Sequence, residues 1–449
     1  MRGGLSMMYE DTEADSQLRN LHLLVAHDSG NGYSKDFIGY PNDSGDSING
    51  KRYLIPDVMA AISDPNFDNT TSHPFPVNRH EELVHSMNRF TKNMDVTIYS
   101  DSLNRQGRYL VGEAAVDSTM AKEEYNVNSM EGKATSDIGL INILTLIAYS
   151  SVKKYFDATD KLPKEINVSV DNMVTALPIS EYEIKGAQEK YVDRFTNGIH
   201  TIVINNLPKP VRVNVAFQSV DIYSEGTVAQ YALIWDSTEH ARKKEFFNNI
   251  YYDDDIDDVY KKYNHPVIEN GISVLKTLGR DLLIDIGDGS TEFSVMNGID
   301  SVNNEYTGSI YQGIGTAATL AAKSFAKTNS AYQDINRHEF VDLAINDDDA
   351  EHVDAKQALD VQLEQLEASI INRVVTIYTK SKYKLNLIVI LGGGANIMPD
   401  DFVPRLQTAL HNIRPKYGSP AIMVVDKKYA QILNMEGLTT LLHVLYKNS

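Results

Sequence analysis

Leu23-Leu24-Val25-Ala26-His27-Asp28-Ser29-Gly30-Asn31-Gly32-Tyr33-Ser34-Lys35 and Leu282-Leu283-Ile284-Asp285-Ile286-Gly287-Asp288-Gly289-Ser290-Thr291-Glu292-Phe293-Ser294-Val295 are two copies of one pattern, far apart in the chain. Each runs an apolar strand into Asp-x-Gly-x-Gly, then a polar residue and a second strand. Glycine lets such a turn bend tightly enough for its backbone N–H groups to approach a phosphate. The aspartate ending each first strand is placed to hold Mg²⁺, directly or through water. A single copy would be satisfied by an ordinary hairpin turn, because Asp and Gly dominate those turns. Two copies with further matching elements in order ask for more than turns.

Those further elements are present. Tyr223-Ser224-Glu225-Gly226-Thr227-Val228 reads as a helix start with Ser224 as N-cap. After the second turn, Gly308-Ser309-Ile310-Tyr311-Gln312-Gly313-Ile314-Gly315-Thr316 leads into an Ala-rich helix. Leu387 to Leu391 is a continuous apolar run, as a buried parallel strand should be, and it ends in Gly392-Gly393-Gly394-Ala395-Asn396. A Gly-rich turn at a strand end lets a purine or ribose lie against backbone; a sharp turn alone reads the same way. Elsewhere strands and helices alternate, which argues for an α/β architecture. Phe37 to Tyr40, Arg52 to Pro56, Arg108 to Val111, Ile166 to Leu177 and Val211 to Ser219 read as strands. Ser136 to Tyr155 and Val361 to Tyr378 read as helices, and residues 60 to 95 as irregular chain.

Several tempting motifs fail on chemistry. Gly45 to Lys51 fits most of a P-loop, but Arg52 stands where Mg²⁺ needs Ser or Thr, and a strand comes next; it reads as a hairpin loop. His80 and His85 are five apart, which turns them about 140° from each other on a helix, so they do not form a zinc motif. Asp253 to Asp255 with Asp257-Asp258 lacks the Gly and Glu of a calcium loop, and reads with Asp347 to Asp349 as solvated acidic chain. The late Gly-rich turn is not Gly-x-Gly-x-x-Gly, which argues against a dinucleotide fold.

Composition sets outer bounds. A chain of 449 residues suggests about three domain-sized units, or two large lobes with insertions. The 25 Tyr and 13 Phe can fill sizeable cores. The absence of Cys removes disulfides, thiolate metal sites and a Cys nucleophile, and is compatible with the cytoplasm. There is no run of about 18 apolar residues to span a membrane. Residues 1 to 20 are polar without an apolar core and read as a flexible extension rather than a secretory signal. The net charge of −19 speaks against broad direct contact with DNA, so any work on DNA would pass through a basic adaptor.

The ordered set resembles the actin-like ATPase superfamily of actins, sugar kinases and heat-shock chaperones. Its phosphate 1, connect 1, phosphate 2 and adenosine motifs match Asp28 to Lys35, Tyr223 to Leu233, Leu282 to Val295 and Ile388 to Asn396. Three details resemble the ParM-like bacterial actins of plasmid partition: Lys35 closing the first loop, Val174-Thr175-Ala176-Leu177-Pro178 followed by Tyr182, and Val425-Asp426 with Met435-Glu436-Gly437-Leu438. The segment 236 to 270 departs from the family, whose connect 1 and phosphate 2 are usually closer.

The resemblance implies an actin-like (ribonuclease H-like) α/β fold of two lobes with a nucleotide cleft between them. Lobe I would hold residues 21 to 224 plus 425 to 449, and lobe II residues 225 to 424. Backbone around Ser29, Gly30, Asn31 and Gly32, and around Gly287, Asp288, Gly289, Ser290 and Thr291, would hold the β- and γ-phosphates. Lys35 would neutralise phosphate charge. Asp28 and Asp285 would orient Mg²⁺ and its waters, and Glu225 would position or deprotonate the attacking water. Gly392, Gly393, Gly394, Ala395, Asn396, Gly313 and Gly315 would surround the adenosine. Such roles suit phosphoryl transfer, which needs mainly positioning and charge stabilisation; a first-turn glutamate at Glu225 also suits the helix dipole.

The implied function is a cytoplasmic, filament-forming ATPase using ATP or GTP with Mg²⁺. Its partners would be further copies of itself and a DNA-binding adaptor. The alternatives are a small-molecule kinase of the same fold, for which no substrate-facing carboxylate base is evident, and another bacterial or phage cytoskeletal actin. A chaperone would need a peptide-binding domain, and only about 50 residues come after Asn396.

Overall fold

The computed structural model describes residues 13–42, 47–63, 80–125, 132–236, 240, 242, 246, 250–251, 280–297, 305–346, 348–416 and 419–448. Most of the acidic segment 236 to 270, including Asp253 to Asp258, lies outside them, as does Asp347.

The strands are β1 (Asn20–Ser29), β2 (Tyr33–Pro41), β3 (Ile48–Pro56), β4 (Val58–Ile62), β5 (Met94–Tyr99), β6 (Gly107–Val111), β7 (Glu123–Glu124), β8 (Glu165–Leu177), β9 (His200–Ile204), β10 (Val211–Phe217), β11 (Val220–Ser224), β12 (Ile250–Tyr251), β13 (Arg280–Ile286), β14 (Thr291–Asn297), β15 (Gly308–Ile310), β16 (Leu387–Leu391) and β17 (Ala421–Val424). They form two sheets. The first runs β3-β2-β1-β8-β10-β9-β5-β6-β4-β7, with β11 beside the second half of β8; the second runs β12-β17-β16-β13-β14-β15.

The centres of the two sheets repeat one plan. In the first, β1 is antiparallel to β2 and parallel to β8, and β8 is parallel to β11. In the second, β13 is antiparallel to β14 and parallel to β16, and β16 is parallel to β17. The central strands read as apolar runs because both faces are covered: Leu23 to Ser29 and all of Leu387–Leu391 are buried.

Helices cover these sheets. Asp137–Thr159 buries almost every face, and its start is set by Ser136, whose side chain accepts from the Ile138 N–H. Ile314–Thr328 and His352–Lys380 build the second core with β13, β14 and β16. The last helix, Leu433–Asn448, leaves the second sheet and crosses back to the first, where Leu438, Leu441 and Leu442 pack with Leu24, Ala26 and Val174. It also crosses the helix Glu225–Ile234 so closely that a Cβ on Gly437 would meet the Val228 carbonyl oxygen at 2.3 Å. Glu436 of that helix is buried between two arginines, Arg52 of β3 and Arg242.

Three expectations need correction. The span 60 to 95 holds β4, the helix His80–Asn88 and the start of β5, with 64 to 79 outside the described residues. That helix has no apolar stripe to mark it in the sequence, because it buries only Met87. The extension before residue 21 already contains a helix, Glu13–Arg19, whose Asp15 accepts from the buried Tyr155 hydroxyl at 2.6 Å. The hairpin loop at Gly45 to Lys51 is shorter than expected, since β3 begins at Ile48 to continue its pairing with β2.

One buried carboxyl group directly precedes the second of the two Asp-Gly motifs. Asp281 in β13 is 1% exposed, and neither carboxylate oxygen has a hydrogen-bond partner among the described residues. Burial pushes its pKa up to about 7, against about 3.9 for an unfolded aspartate. The folded state therefore holds a proton that the unfolded state has released between those values. Stability attributable to Asp281 is complete below about pH 4 and falls, by at most about 1.4 kcal/mol per pH unit, up to about pH 7. Thermal melting of Asp281→Asn across pH 4 to 8 should show this slope removed; an unchanged slope would mean that Asp281 is ionised in the fold.

Candidate functional site

The carboxyl ends of β1, β13 and β16 meet at a cavity of about 730 Å³ between the two sheets. From one side come Asp28, Gly30, Asn31, Gly32 and Lys35; from the other, Asp285, Gly287, Asp288 and Ser290. Gly392, Gly393, Gly394 and Asn396 line a further wall, and Glu225 stands with them. A depression of about 950 Å³ around Ser330 to Asp349 is larger, but it reaches neither turn.

The two turns are closed by the same bond. The Gly30 N–H donates to the Tyr33 carbonyl at 3.1 Å, and the Gly287 N–H to the Ser290 carbonyl at 2.9 Å. Strand register then places equivalent residues across each hairpin: Asp28 opposite Lys35, and Asp285 opposite Glu292. The charges differ. Lys35 Nζ lies 3.1 Å from Asp28 Oδ2. Burial alone would lower the lysine pKa, but Asp28 and Asp285 outweigh it and the net shift is upward. In the second hairpin a carboxylate faces a carboxyl. Burial, followed by the charge of Glu225, pushes Asp285 up to about 6, opposed by the Asn434 amide that donates to Asp285 Oδ2 at 2.9 Å. Glu292 is pushed up for the same two reasons, burial first and then Glu225.

Glu225 opens the helix Glu225–Ile234, and Ser224 caps it by accepting from the Thr227 N–H. Glu225 is 7% exposed, and its carboxylate lies 2.8 Å from the Lys133 ammonium. Gly226 comes next because a Cβ there would come within 2.1 Å of Ser294 Oγ, so the helix start rests directly on β14. At the third wall, Gly392 has φ +91 and a Cβ on it would lie 2.2 Å from Asp285 Oδ1. The Gly-rich stretch itself forms a single 3₁₀ turn, Gly393–Asn396, rather than the start of a long helix.

Six expected site residues do not line this cavity. Ser29 is buried and turned away: its hydroxyl shares a 2.7 Å hydrogen bond with the Tyr125 hydroxyl and donates to Asp57 at 3.4 Å. Asp57, which also accepts from Asn142, is pushed up to about 7 by burial. Thr291 donates to the Gln312 carbonyl at 2.9 Å. Gly313 and Gly315 lie behind the second turn, where the Ile314 and Gly315 N–H groups donate to the Gly287 and Asp288 carbonyls at 3.1 and 2.7 Å. A Cβ on Gly313 would meet the Asp288 carbonyl oxygen at 2.4 Å. Ala395 packs into the second core. Gly289 lines a neighbouring chamber of about 600 Å³, which shares Asn31, Lys133, Ser290 and Glu292 with the main cavity.

The cavity also contains residues that no motif announces. Lys133 sits in Gly-Lys-Ala-Thr, a stretch with no pattern of its own. Asn434 is adjacent to the Met435 to Leu438 motif, which is its one sequence signal. Arg337 reaches Asp288 at 2.9 Å and, across the cleft, Glu124 of β7 at 3.0 Å. Lys427 and Lys428 come after β17.

The donor set suits Mg²⁺. Asp28 and Asp285 bring one carboxylate from each sheet, and no cluster of three or more metal-ligating side chains occurs among the described residues. Mg²⁺ commonly binds through one or two carboxylates, waters and substrate phosphates rather than an all-protein cage.

Comparison with known proteins agrees with this geometry. Residues 26–227 match the family model described as the N-terminal domain of actin-like proteins, and residues 283–403 match that of the archaeal MreB-like actin homologue, C-terminal. Among solved structures, the actin-like protein Alp7A superposes with a TM-score of 0.61 at 15% identity, covering 95% of this chain and 97% of its own. The archaeal actin homologue Ta0583 gives 0.55 at 14% identity, with 93% and 98% covered. Bacillus thuringiensis ParM, solved with ATP, gives 0.53 at 16% identity, with 95% and 100% covered. No curated protein sequence matches significantly. With two actin-type family models matched in order and its fold shared with these neighbours over most of its length, the chain belongs to the actin-like superfamily.

Proposed function

We propose that this chain is an ATPase that assembles into filaments when it binds nucleotide, and that it works as a ParM-like segregation motor reaching plasmid DNA through an adaptor. The observation that carries the reading is the pair of identically closed Asp-Gly turns facing one cavity from opposite sheets. Bacillus thuringiensis ParM, of like fold, was solved with ATP, which supports a nucleotide in this cleft. The net charge of −19 supports an adaptor rather than direct DNA contact.

Each part of the cavity has its own share of the work. Backbone N–H groups of the two turns receive phosphate oxygens, and Lys35 exchanges its Asp28 partner for phosphate charge. Asp28 and Asp285 would hold Mg²⁺, directly or through its waters, and the metal would supply charge neutralisation at the phosphates. Glu225 orients a water toward the terminal phosphorus and takes its proton as the P–O bond to the β-phosphate breaks, leaving nucleoside diphosphate and inorganic phosphate. The Gly392 to Asn396 wall supports the nucleoside. Because the nucleotide touches both sheets, it favours one relative orientation of the lobes, and hydrolysis withdraws that preference. In a polymer this becomes a switch between assembling and departing subunits.

Two experiments test the reading. With Mg²⁺ and ATP, or GTP in parallel, the protein should scatter light and sediment as filaments at roughly tens of micromolar, in salt enough to screen its charge. Particles that remain monomeric while phosphorylating an added sugar would replace the filament reading with a kinase. Glu225→Gln keeps an acceptor for Lys133 but removes the base, so it should bind nucleotide and assemble while phosphate release falls by roughly 10²-fold or more. Its filaments should outlast those of the wild type. Normal release with normal disassembly would reject the role given to Glu225.

A further inference from the structure

Lys133 has no place in the reaction scheme above, although it pairs with the residue at its centre. It is 8% exposed, lies 2.8 Å from Glu225, and lines both the main cavity and the adjoining chamber. A buried lysine costs free energy unless its charge is answered, and a single carboxylate answers it without requiring the elaborate mounting seen here.

That mounting comes from two ends. Lys133 belongs to the short helix Gly132–Thr135. The backbone N–H groups of Lys133 and Ala134 donate to the two carboxylate oxygens of Glu181 at 2.9 and 3.0 Å. Gly132, at φ +66, leaves room for this grip, since a Cβ there would lie 2.6 Å from Glu181 Oε2. Arg194 holds the other end, donating to the Ala134 and Ser136 carbonyls at 3.3 and 2.8 Å. Glu181 sits in the helix Ile179–Tyr182 just after Pro178, so the Val174 to Tyr182 stretch serves to fix Lys133. Ionic partners alone would not require the turn's own backbone to be fixed; a lysine aimed at a point in the cavity would.

The point is defined by its neighbours. Lys133 shares the cavity with Asn31 of the first turn and Ser290 and Glu292 of the second hairpin, and it pairs with the glutamate assigned to water. Lys35, by contrast, pairs with Asp28 at the root of the first turn. Resting on the nucleotide reading above, we propose that Lys133 is a positioning residue that recognises the terminal phosphate: its ammonium moves from Glu225 to γ-phosphate oxygens when a triphosphate binds, which both reports the third phosphate and releases Glu225 to the water. No covalent step is involved; one ion pair exchanges for another.

The exchange separates triphosphate from diphosphate, and this is what the experiment reads. Affinities for ATP and ADP, each with Mg²⁺, are measured on the wild type, Lys133→Met, Lys133→Arg and the double variant Lys133→Met with Glu225→Gln. Removing one charge-assisted contact to phosphate should weaken ATP by roughly 10-fold or more while ADP stays within about 2-fold. Lys133→Arg should recover most of the ATP preference. The double variant leaves no carboxylate at 225 unanswered, so it guards against simple misfolding, and it should show the same loss of ATP over ADP preference. Equal weakening of both nucleotides, or an unchanged preference in the double variant, would overturn the proposal and leave Lys133 as a counter-ion for Glu225. A wild type that binds neither nucleotide would instead overturn the nucleotide reading, and the role of Lys133 with it.

Discussion

Parallel pairing of buried strands is the constraint on which the cleft depends. β1 with β8, β8 with β11, β13 with β16 and β16 with β17 all run the same way within their pairs. Strands so paired must end together, and the chain leaves each end into a loop at the same edge. Ser29, Leu177, Ser224, Ile286, Leu391 and Val424 are those ends. Beyond them, in the same order, lie the first phosphate turn, the Glu181 helix, Glu225, the second turn, the Gly-rich wall and the lysines at 427 and 428. Chemistry from six distant stretches of sequence meets because hydrogen-bonded ladders deliver it there.

Charge is the second constraint. Asp28, Glu225, Asp285 and Glu292 converge on one cavity, where burial first and then the charge of Glu225 disfavour the ionised forms of Asp285 and Glu292. Lys35 and Lys133 answer two of them directly. On the reading proposed above, a nucleotide with its metal would bring both a cation and an anion to these groups.

Much of this was legible from residue order. Apolar runs ending in Asp-x-Gly-x-Gly announced β1 and β13 because a strand covered on both faces has no polar alternation to confuse the reading. Ser224 announced its helix because an N-cap is a local hydrogen bond between residues three apart. Lys133 and Arg337 were not legible, since their meaning lies in Glu225 and Glu124, 92 and 213 residues away. Gly313 and Gly315 mark close packing against the second turn, where a Cβ on either would crowd Asp288. Ser29 belongs to the motif by position, yet its side chain serves the buried Tyr125 and Asp57.

The two hairpins are closed by the same turn bond and carry opposite charge at one equivalent register position, lysine at 35 and glutamate at 292. The repeated scaffold therefore carries unlike groups at matching places, an ammonium paired with a carboxylate in the first hairpin and two carboxyl groups facing each other in the second. A polyphosphate carrying its metal is itself polarised. On the nucleotide reading proposed above, Lys35 would meet bare phosphate oxygens at the first hairpin, while the second hairpin would offer the excess of carboxyl groups to the cation. On that reading, a single exchange of charge sign between repeated halves of one fold would set which end of the substrate faces which sheet.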